Sequence, residues 1–152
     1  MPMTQIEQLL AIEAIKRLKA SYFRFVDTKD WEAFASLFAE DVLFDISSGH
    51  FDCILHSPRE ILEVVTPRLR DCVTVHHGHC PEITITSDTT AEGVWAMEDK
   101  LRWAEGSDSP IRALHGYGHY HETYRKIDGE WRIQSMKLTR LRLDTEPWEA
   151  AG

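Results

Sequence analysis

The chain has 152 residues, 43% of them hydrophobic, and a formal charge of −8 at pH 7. This length and apolar content are enough for a core, and no Gly/Ser/Pro-rich linker divides the sequence, so residues 1–152 are predicted to form a single domain. The acidic residues are spread along the chain, which argues against nucleic acid or an anionic membrane as the main partner. A small molecule or another protein is therefore the expected partner.

The N-terminal sequence MPMTQIEQLL lacks a basic region followed by a long apolar core, and no other apolar run approaches bilayer length. Cys53, Cys72 and Cys80 form no CxxC pair and cannot all be bridged, which fits a reducing compartment. We therefore expect a soluble, cytoplasmic protein.

A long first helix is predicted from Thr4 to the region of Asp27. Thr4 and Glu7 form a capping-box pattern, and apolar residues then recur at helical spacing. These residues are Ile6, Leu9, Leu10, Ile15, Leu18, Tyr22 and Phe25.

Two shorter helices are predicted to follow. Asp30 is expected to cap a second helix that carries Trp31, Phe34, Leu37 and Phe38. Ser57 and Glu60, with Pro58 at the first helical position, predict a third helix that Pro67 should kink or end.

The remaining pattern is extended and predicts a mostly antiparallel sheet after the helices. Asp128-Gly129 between YRKI and EWRI is a two-residue hairpin signal that pairs the last two strands. Segregated helices and long strands indicate an α+β fold in which a curved sheet can close around a pocket. The extended segments are 42–46, 73–79, 82–86, 93–103 and two long segments from Ile111 onward.

Asp27 requires an explanation because it directly follows Phe25 and Val26, where a buried acid is costly without a partner. On the strand 73–79, His76 faces the opposite side to His77 and His79. A histidine facing a pocket could pair with a carboxylate at the end of a helix laid across that pocket. The carboxylate would fix the tautomer and leave the other ring nitrogen as a base.

Four segments together, FVDTKDW, LFAEDVLFD, TVHHG and YRKIDGEWRI, carry a family resemblance. Over nearly the whole chain the sequence resembles the scytalone dehydratase and SnoaL-like branch of the NTF2-like superfamily, which includes hexachlorocyclohexane dehydrochlorinase. The resemblance implies a cone-shaped α+β barrel with N-terminal helices enclosing a pocket. It also implies that Asp27 pairs with His76, and that this histidine removes a proton from carbon during elimination.

The sequence departs from the scytalone dehydratase pattern at other positions. Two tyrosines that hold a water in that enzyme are replaced by Val26 and Ile46, so that water should be missing. The substrate-contacting asparagine is replaced by Tyr120, and its neighbouring serine by Gly118. Scytalone itself is therefore not the expected substrate, and Val26, Ile46 and Tyr120 are expected to line the substrate site.

The ketosteroid isomerases share the implied fold and provide a second comparison. Their first-helix tyrosine, which binds an enolate oxygen, matches Tyr22, so Tyr22 could donate to an oxyanion. Their general-base aspartate would fall on Ile46, one place after Asp45, which disfavours their mechanism.

Asp99 interrupts an apolar strand face and is either a polar group in the pocket wall or the mark of a twist that exposes it.

The clusters HHGH and HGYGHYH raise the possibility of a metal site. His77 and His79 share one strand face, as do His115, His119 and His121. Both faces should be the outer ones if His76 and Tyr120 point inward, and no carboxylate is fixed at ligand spacing beside either group. No metal ligands and no cofactor are therefore assigned, and these histidines could instead lie at a subunit interface.

The sequence favours a cofactor-independent lyase, a dehydratase-like enzyme acting on a small cyclic or aromatic, polyketide-type substrate. An isomerase using the same Asp–His pair and a small-molecule-binding module without chemistry are the alternatives. Because relatives in this superfamily associate, a homo-oligomer, either a dimer or a trimer, is expected.

Overall fold

The computed structural model describes residues 3–49 and 51–149. Three helices and six strands follow one another in these residues. They are α1 (Gln5–Thr28), α2 (Trp31–Ala35), β1 (Phe38–Asp45), β2 (Ile54–Leu55), α3 (Pro58–Leu69), β3 (Cys72–Ile85), β4 (Thr90–Trp103), β5 (Ala113–Ile127) and β6 (Glu130–Glu146).

The strands of the described residues form one curved sheet in the order β2-β1-β6-β5-β4-β3. All neighbouring pairs are antiparallel except β1 and β6, which run parallel. The N-terminal helices pack on one face of this sheet, where alternate strand residues are buried. The predicted α+β cone-shaped fold is therefore confirmed.

The local signals at the helix starts are confirmed. Thr4 accepts from the backbone N–H of Glu7 at 3.2 Å, and Asp30 and Ser57 cap α2 and α3 in the same way. None of the helices in the described residues combines the length and the apolar character needed to cross a bilayer.

The predicted end of α2 is wrong, and α3 does not end at Pro67, which was one of the two outcomes predicted for that proline. α2 ends at Ala35, because Leu37 and Phe38 already join the sheet: the Leu37 carbonyl accepts from Ile133 N–H at 2.9 Å. α3 continues through Pro67 to Leu69. A proline this close to a helix end removes only one backbone hydrogen bond of the final turn, so the helix need not stop there.

The hairpin prediction is confirmed, and two predicted strands prove to be one. Asp128 and Gly129 have φ angles of 51° and 84°, as a type I′ turn requires. The segment 73–79 and residues 82–85 of the segment 82–86 belong to the single strand β3, whose pairing with β4 shifts between His79 and Glu82. Cys80, with φ of 39°, occupies this irregularity.

A buried ion pair joins α1 to the sheet among the residues of the apolar core. Lys19 on α1 and Glu122 on β5 contact one another, and both side chains are 0% exposed. Tyr124 donates its hydroxyl hydrogen to Glu122 and accepts from the indole N–H of Trp95 at 2.8 Å. Burial lowers the pKa of Lys19, and the carboxylate of Glu122 opposes that effect. Each charge therefore depends on the other for its stability in the core.

Removing one member of this pair should destabilise the fold strongly. Lys19→Met leaves Glu122 buried without a cation and should lower the free energy of unfolding in urea by about 3–5 kcal/mol. The control is Lys16→Met on the same helix, because Lys16 is 44% exposed and pairs with exposed Glu13. That change should cost less than about 1 kcal/mol.

The double variant Lys19→Met/Glu122→Met removes both charges and should recover part of the lost stability. Equal losses in the Lys16→Met and Lys19→Met variants would contradict a structural role for the pair.

Candidate active site

A cavity of about 290 Å³ lies between the helices and the concave face of the sheet. Its walls come from all three helices and from the sheet, and six of the seven residues selected from the sequence line it. These are Tyr22, Val26, Ile46, His76, Asp99 and Tyr120. The seventh, Asp27, contacts His76.

Asp27 and His76 are in direct contact across the junction of α1 and β3. Asp27 Oδ1 lies 2.7 Å from His76 Nδ1, and Asp27 Oδ2 accepts from the His76 backbone N–H at 2.9 Å. The His76 side chain is 11% exposed and the Asp27 side chain 23%. Because Nδ1 faces the carboxylate, Nε2 is the ring nitrogen available to a molecule in the cavity.

Hydrogen bonds explain how an acid is tolerated directly after Phe25 and Val26. Besides the two contacts with His76, Asp27 Oδ1 accepts from the Thr74 hydroxyl at 2.9 Å. Partial burial alone would raise the pKa of Asp27, but these bonds outweigh it and hold the pKa below its ordinary value. The carboxylate is therefore ionised at neutral pH.

Lys29 extends this network beyond the end of α1. It has a left-handed φ of 62°, and its Nζ donates to the Thr74 hydroxyl at 2.8 Å and to the Val26 carbonyl at 3.2 Å. The Thr74 hydroxyl can therefore donate a hydrogen bond to Asp27 while it accepts one from Lys29. Neither Lys29 nor Thr74 was selected from the sequence, although Thr74 shares a strand face with His76.

Tyr22 and Tyr120 are two buried tyrosines that line the cavity. Both are nearly fully buried, and their rings meet edge to face with centroids 6.1 Å apart. Lys19 Nζ lies 3.8 Å from each ring centroid. Burial raises the pKa of Tyr22 and of Tyr120, and nearby carboxylates raise both further. Both hydroxyls are therefore protonated and able to donate.

Asp99 lies in the cavity wall, which resolves the two alternatives left by the sequence. It is 5% exposed and receives two hydrogen bonds from Arg140, at 2.6 and 2.8 Å. Burial opposes the charge of Arg140, but its bonds to Asp99 prevail and raise the pKa of the guanidinium. A Cβ on Gly116 would lie 1.9 Å from Arg140 Nη1, so only glycine leaves room for this pair.

Arg140 was missed by sequence reasoning, although a signal for it exists. Met136, Leu138 and Arg140 alternate along β6 and all line the cavity. Its partner lies 41 residues earlier on β4, and sequence alone does not give that contact.

Val26 and Ile46 form apolar parts of the cavity wall, as expected for a site without tyrosines at those positions.

The other histidines of the two clusters lie on the outer face of the sheet, opposite to His76 and Tyr120. His77 and His79 are each 53% exposed, and Glu98 on β4 lies opposite His77 in the strand register. The side chain of Glu98 approaches His77, His79 and His115. The prediction that no carboxylate lies beside these histidines is therefore wrong, because strand pairing brings Glu98 to His77 from 21 residues away along the chain.

Residues 7–137 match the family model for the SnoaL-like domain, so the chain belongs to that family. Among curated proteins it is 25% identical over 141 residues to "Probable cyclase FGR4" of Gibberella zeae, covering 86% of this chain and 91% of the relative.

Solved structures of the same fold include a hexachlorocyclohexane dehydrochlorinase, LinA type 2. Its TM-score is 0.80 at 17% identity, covering 98% of this chain and 97% of that one. A second is a protein provisionally named a scytalone dehydratase, from Novosphingobium aromaticivorans. Its TM-score is also 0.80, at 20% identity, covering 98% of this chain and all of the other.

The lowered pKa of Asp27 predicts a specific dependence of stability on pH. The pKa of Asp27 in the folded state lies below its unfolded value of about 3.9. The ionised carboxylate therefore contributes fully to the free energy of unfolding at pH values above the unfolded pKa. This contribution is lost as the pH falls through the folded-state pKa. Urea unfolding of wild type and Asp27→Asn should show that the difference between their free energies of unfolding shrinks from about pH 5 to about pH 3. A difference that stays constant over this range would contradict the pKa assignment.

Proposed function

We propose that the protein is a cofactor-independent, dehydratase-like lyase. It removes a proton from a carbon of a small cyclic or aromatic, polyketide-type substrate and expels water or another leaving group. The observation that carries the proposal is the 2.7 Å contact between Asp27 Oδ1 and His76 Nδ1 at the wall of an apolar cavity.

In the proposed reaction His76 is the general base and Asp27 is its positioning residue. The Nδ1–H group donates to Asp27, which leaves the lone pair of Nε2 available to remove the substrate proton. The ionised carboxylate then stabilises the imidazolium that forms. Proton removal by a placed base contributes on the order of 10²–10⁴-fold, so further acceleration must come from positioning and charge stabilisation.

Tyr22 and Tyr120 are the candidate donors to substrate oxygen. Negative charge that develops when a proton leaves carbon needs hydrogen-bond donors held in a dry environment. Both tyrosines line the cavity that His76 also lines. The Asp99–Arg140 pair adds a polar contact on that wall, which can orient a hydroxyl or carbonyl substituent.

The cavity limits the substrate to a small molecule. Its volume of about 290 Å³ lies just below the range typical of ligand sites, about 300–1,000 Å³. Larger grooves, of about 590 and 520 Å³, lie on the outer face of the sheet, away from His76. The inner cavity is the better candidate because it combines enclosing helices with the paired acid and base.

The related proteins support an activity of this general class. Their names describe a cyclase, a dehydrochlorinase and a dehydratase. Cyclisation, elimination and isomerisation can each begin with proton removal from carbon by a placed base. An isomerase using Asp27 and His76 is therefore the second candidate, and it differs from the lyase in the fate of the substrate after that step.

Proton exchange tests the base directly. A panel of small cyclic hydroxyketones and halogenated rings is incubated with the protein in D₂O, and loss of the acidic C–H signal is followed by NMR. His76→Ala should abolish exchange and product formation while retaining the fold, as judged by circular dichroism. Asp27→Asn should retain ligand binding and slow turnover by about 10²–10⁴-fold, because an amide can hold the wrong tautomer.

The matched control is His121→Ala, because His121 is exposed on the outer face of the sheet. Its rates should equal those of wild type. Loss of a leaving group identifies a lyase, whereas a moved double bond identifies an isomerase. A ligand that binds equally well to wild type and to His76→Ala, without exchange in either, would leave only the binding-module alternative.

We also propose that the chain forms a cytoplasmic homo-oligomer, a dimer or a trimer. Its outer sheet face carries exposed apolar side chains, among them Val73 at 74% and Val75 at 39%. The three cysteines are free, as expected in a reducing compartment.

Light scattering coupled to gel filtration should give a mass two or three times that of the chain. The Val73→Glu substitution places a charge in the apolar face, so the measured mass should shift towards that of the monomer. A monomeric wild-type protein at micromolar concentration would contradict the assembly.

A further inference from the structure

A cluster of histidine and glutamate side chains on the outer face of the sheet is independent of the proposed active site. We propose that His77, His79 and Glu98 form a binding site for a zinc ion. Zinc is favoured because imidazole nitrogens and one carboxylate oxygen form a typical zinc ligand set, whereas calcium and magnesium prefer oxygen ligands alone.

The strand geometry brings these three ligands together. His77 and His79 are two residues apart on β3 and therefore project from the same face. Glu98 is the direct cross-strand neighbour of His77 on β4. The site thus stands on two adjacent, hydrogen-bonded strands, which hold the ligands more rigidly than a loop would.

The separations suit a tetrahedral metal better than direct hydrogen bonds. Glu98 Oε1 lies 3.5 Å from His77 Nδ1 and 3.7 Å from His79 Nε2, and the three ligand atoms lie within 4.8 Å of one another. Zinc–ligand distances of about 2.0–2.2 Å place tetrahedral ligands roughly 3.3 Å apart. Because both imidazoles are half-exposed, small ring rotations can bring their nitrogens to that spacing.

His115 positions the carboxylate. His115 Nε2 lies 3.1 Å from Glu98 Oε2, and the Tyr117 hydroxyl lies 3.1 Å from His115 Nδ1. With Tyr117 donating to Nδ1, the Nε2–H group donates to Oε2 and leaves Oε1 directed at His77 and His79. Hydrogen bonds of this kind orient metal-binding carboxylates.

The charge of Glu98 also suits a cation. Glu98 offers a carboxylate oxygen beside the two imidazole nitrogens, so the three ligands together present a negative charge to the metal. Three protein ligands leave the fourth tetrahedral position open for water. Bound zinc would join β3 to β4 and stabilise the folded chain by mass action.

Titration of the metal-free protein with zinc chloride in a calorimeter tests the site. Wild type should bind one zinc ion per chain saturably in the micromolar range. His77→Ala and Glu98→Gln should each abolish this binding, because each removes one of three protein ligands. His115→Ala should weaken it by about 10–100-fold, as expected for a residue that orients a ligand.

Cobalt provides a second measurement that does not depend on heat of binding. Co²⁺ titrated into wild type should give the strong visible absorption of a tetrahedral site, which excess zinc removes. Both metals should bind more weakly at about pH 5.5 than at pH 7.5, because the imidazoles must be neutral to bind.

Two histidine controls separate this site from the rest of the protein. His121→Ala, on the same outer face, and His76→Ala, on the inner face, should bind zinc as wild type does. The proposal is wrong if wild type shows no saturable binding, if His77→Ala binds as tightly as wild type, or if His76→Ala loses the zinc.

Discussion

The carboxylate of Asp27 determines how the first helix and the sheet meet. Its oxygens accept from the Thr74 hydroxyl and from the backbone and ring of His76, so the end of α1 is joined to β3 by polar contacts. Without these bonds an acid in this position would be costly to bury. The same contacts fix the imidazole with Nδ1 facing the carboxylate, so one set of hydrogen bonds stabilises the junction and orients the base.

The helix α1, which carries Asp27 in its last turn, also supplies part of the cavity wall. Lys19, Tyr22 and Val26 lie on one buried face of α1 at spacings of three and four residues. Lys19 pairs with Glu122 and lies beneath the rings of Tyr22 and Tyr120, so a buried charge pair supports the aromatic wall. The ion pair therefore contacts the rings of both tyrosines, although Lys19 and Glu122 do not line the cavity.

Local patterns made much of the fold predictable, whereas contacts distant in sequence were not. The caps at Thr4, Asp30 and Ser57 and the Asp128-Gly129 turn each depend on a few neighbouring residues. The end of α2 depends instead on Ile133, about a hundred residues later, which draws Leu37 into the sheet. The pairing of Asp27 with His76 was expected from the family resemblance. The partners Arg140 and Glu98 could not be found, because strand register decides which side chains meet.

The alternation of side chains along β3 explains how one short segment can carry two separate sites. His76 faces the cavity, and His77 faces outward to Glu98, although the two residues are adjacent. A shift of one residue in the register would exchange them, placing His77 beside Asp27 and removing His76 from the cavity. The irregularity at Cys80 comes after all the histidines of this segment, so their register with β4 is unbroken. Continuous pairing before the bulge is therefore what keeps the inner base and the outer ligands on opposite faces.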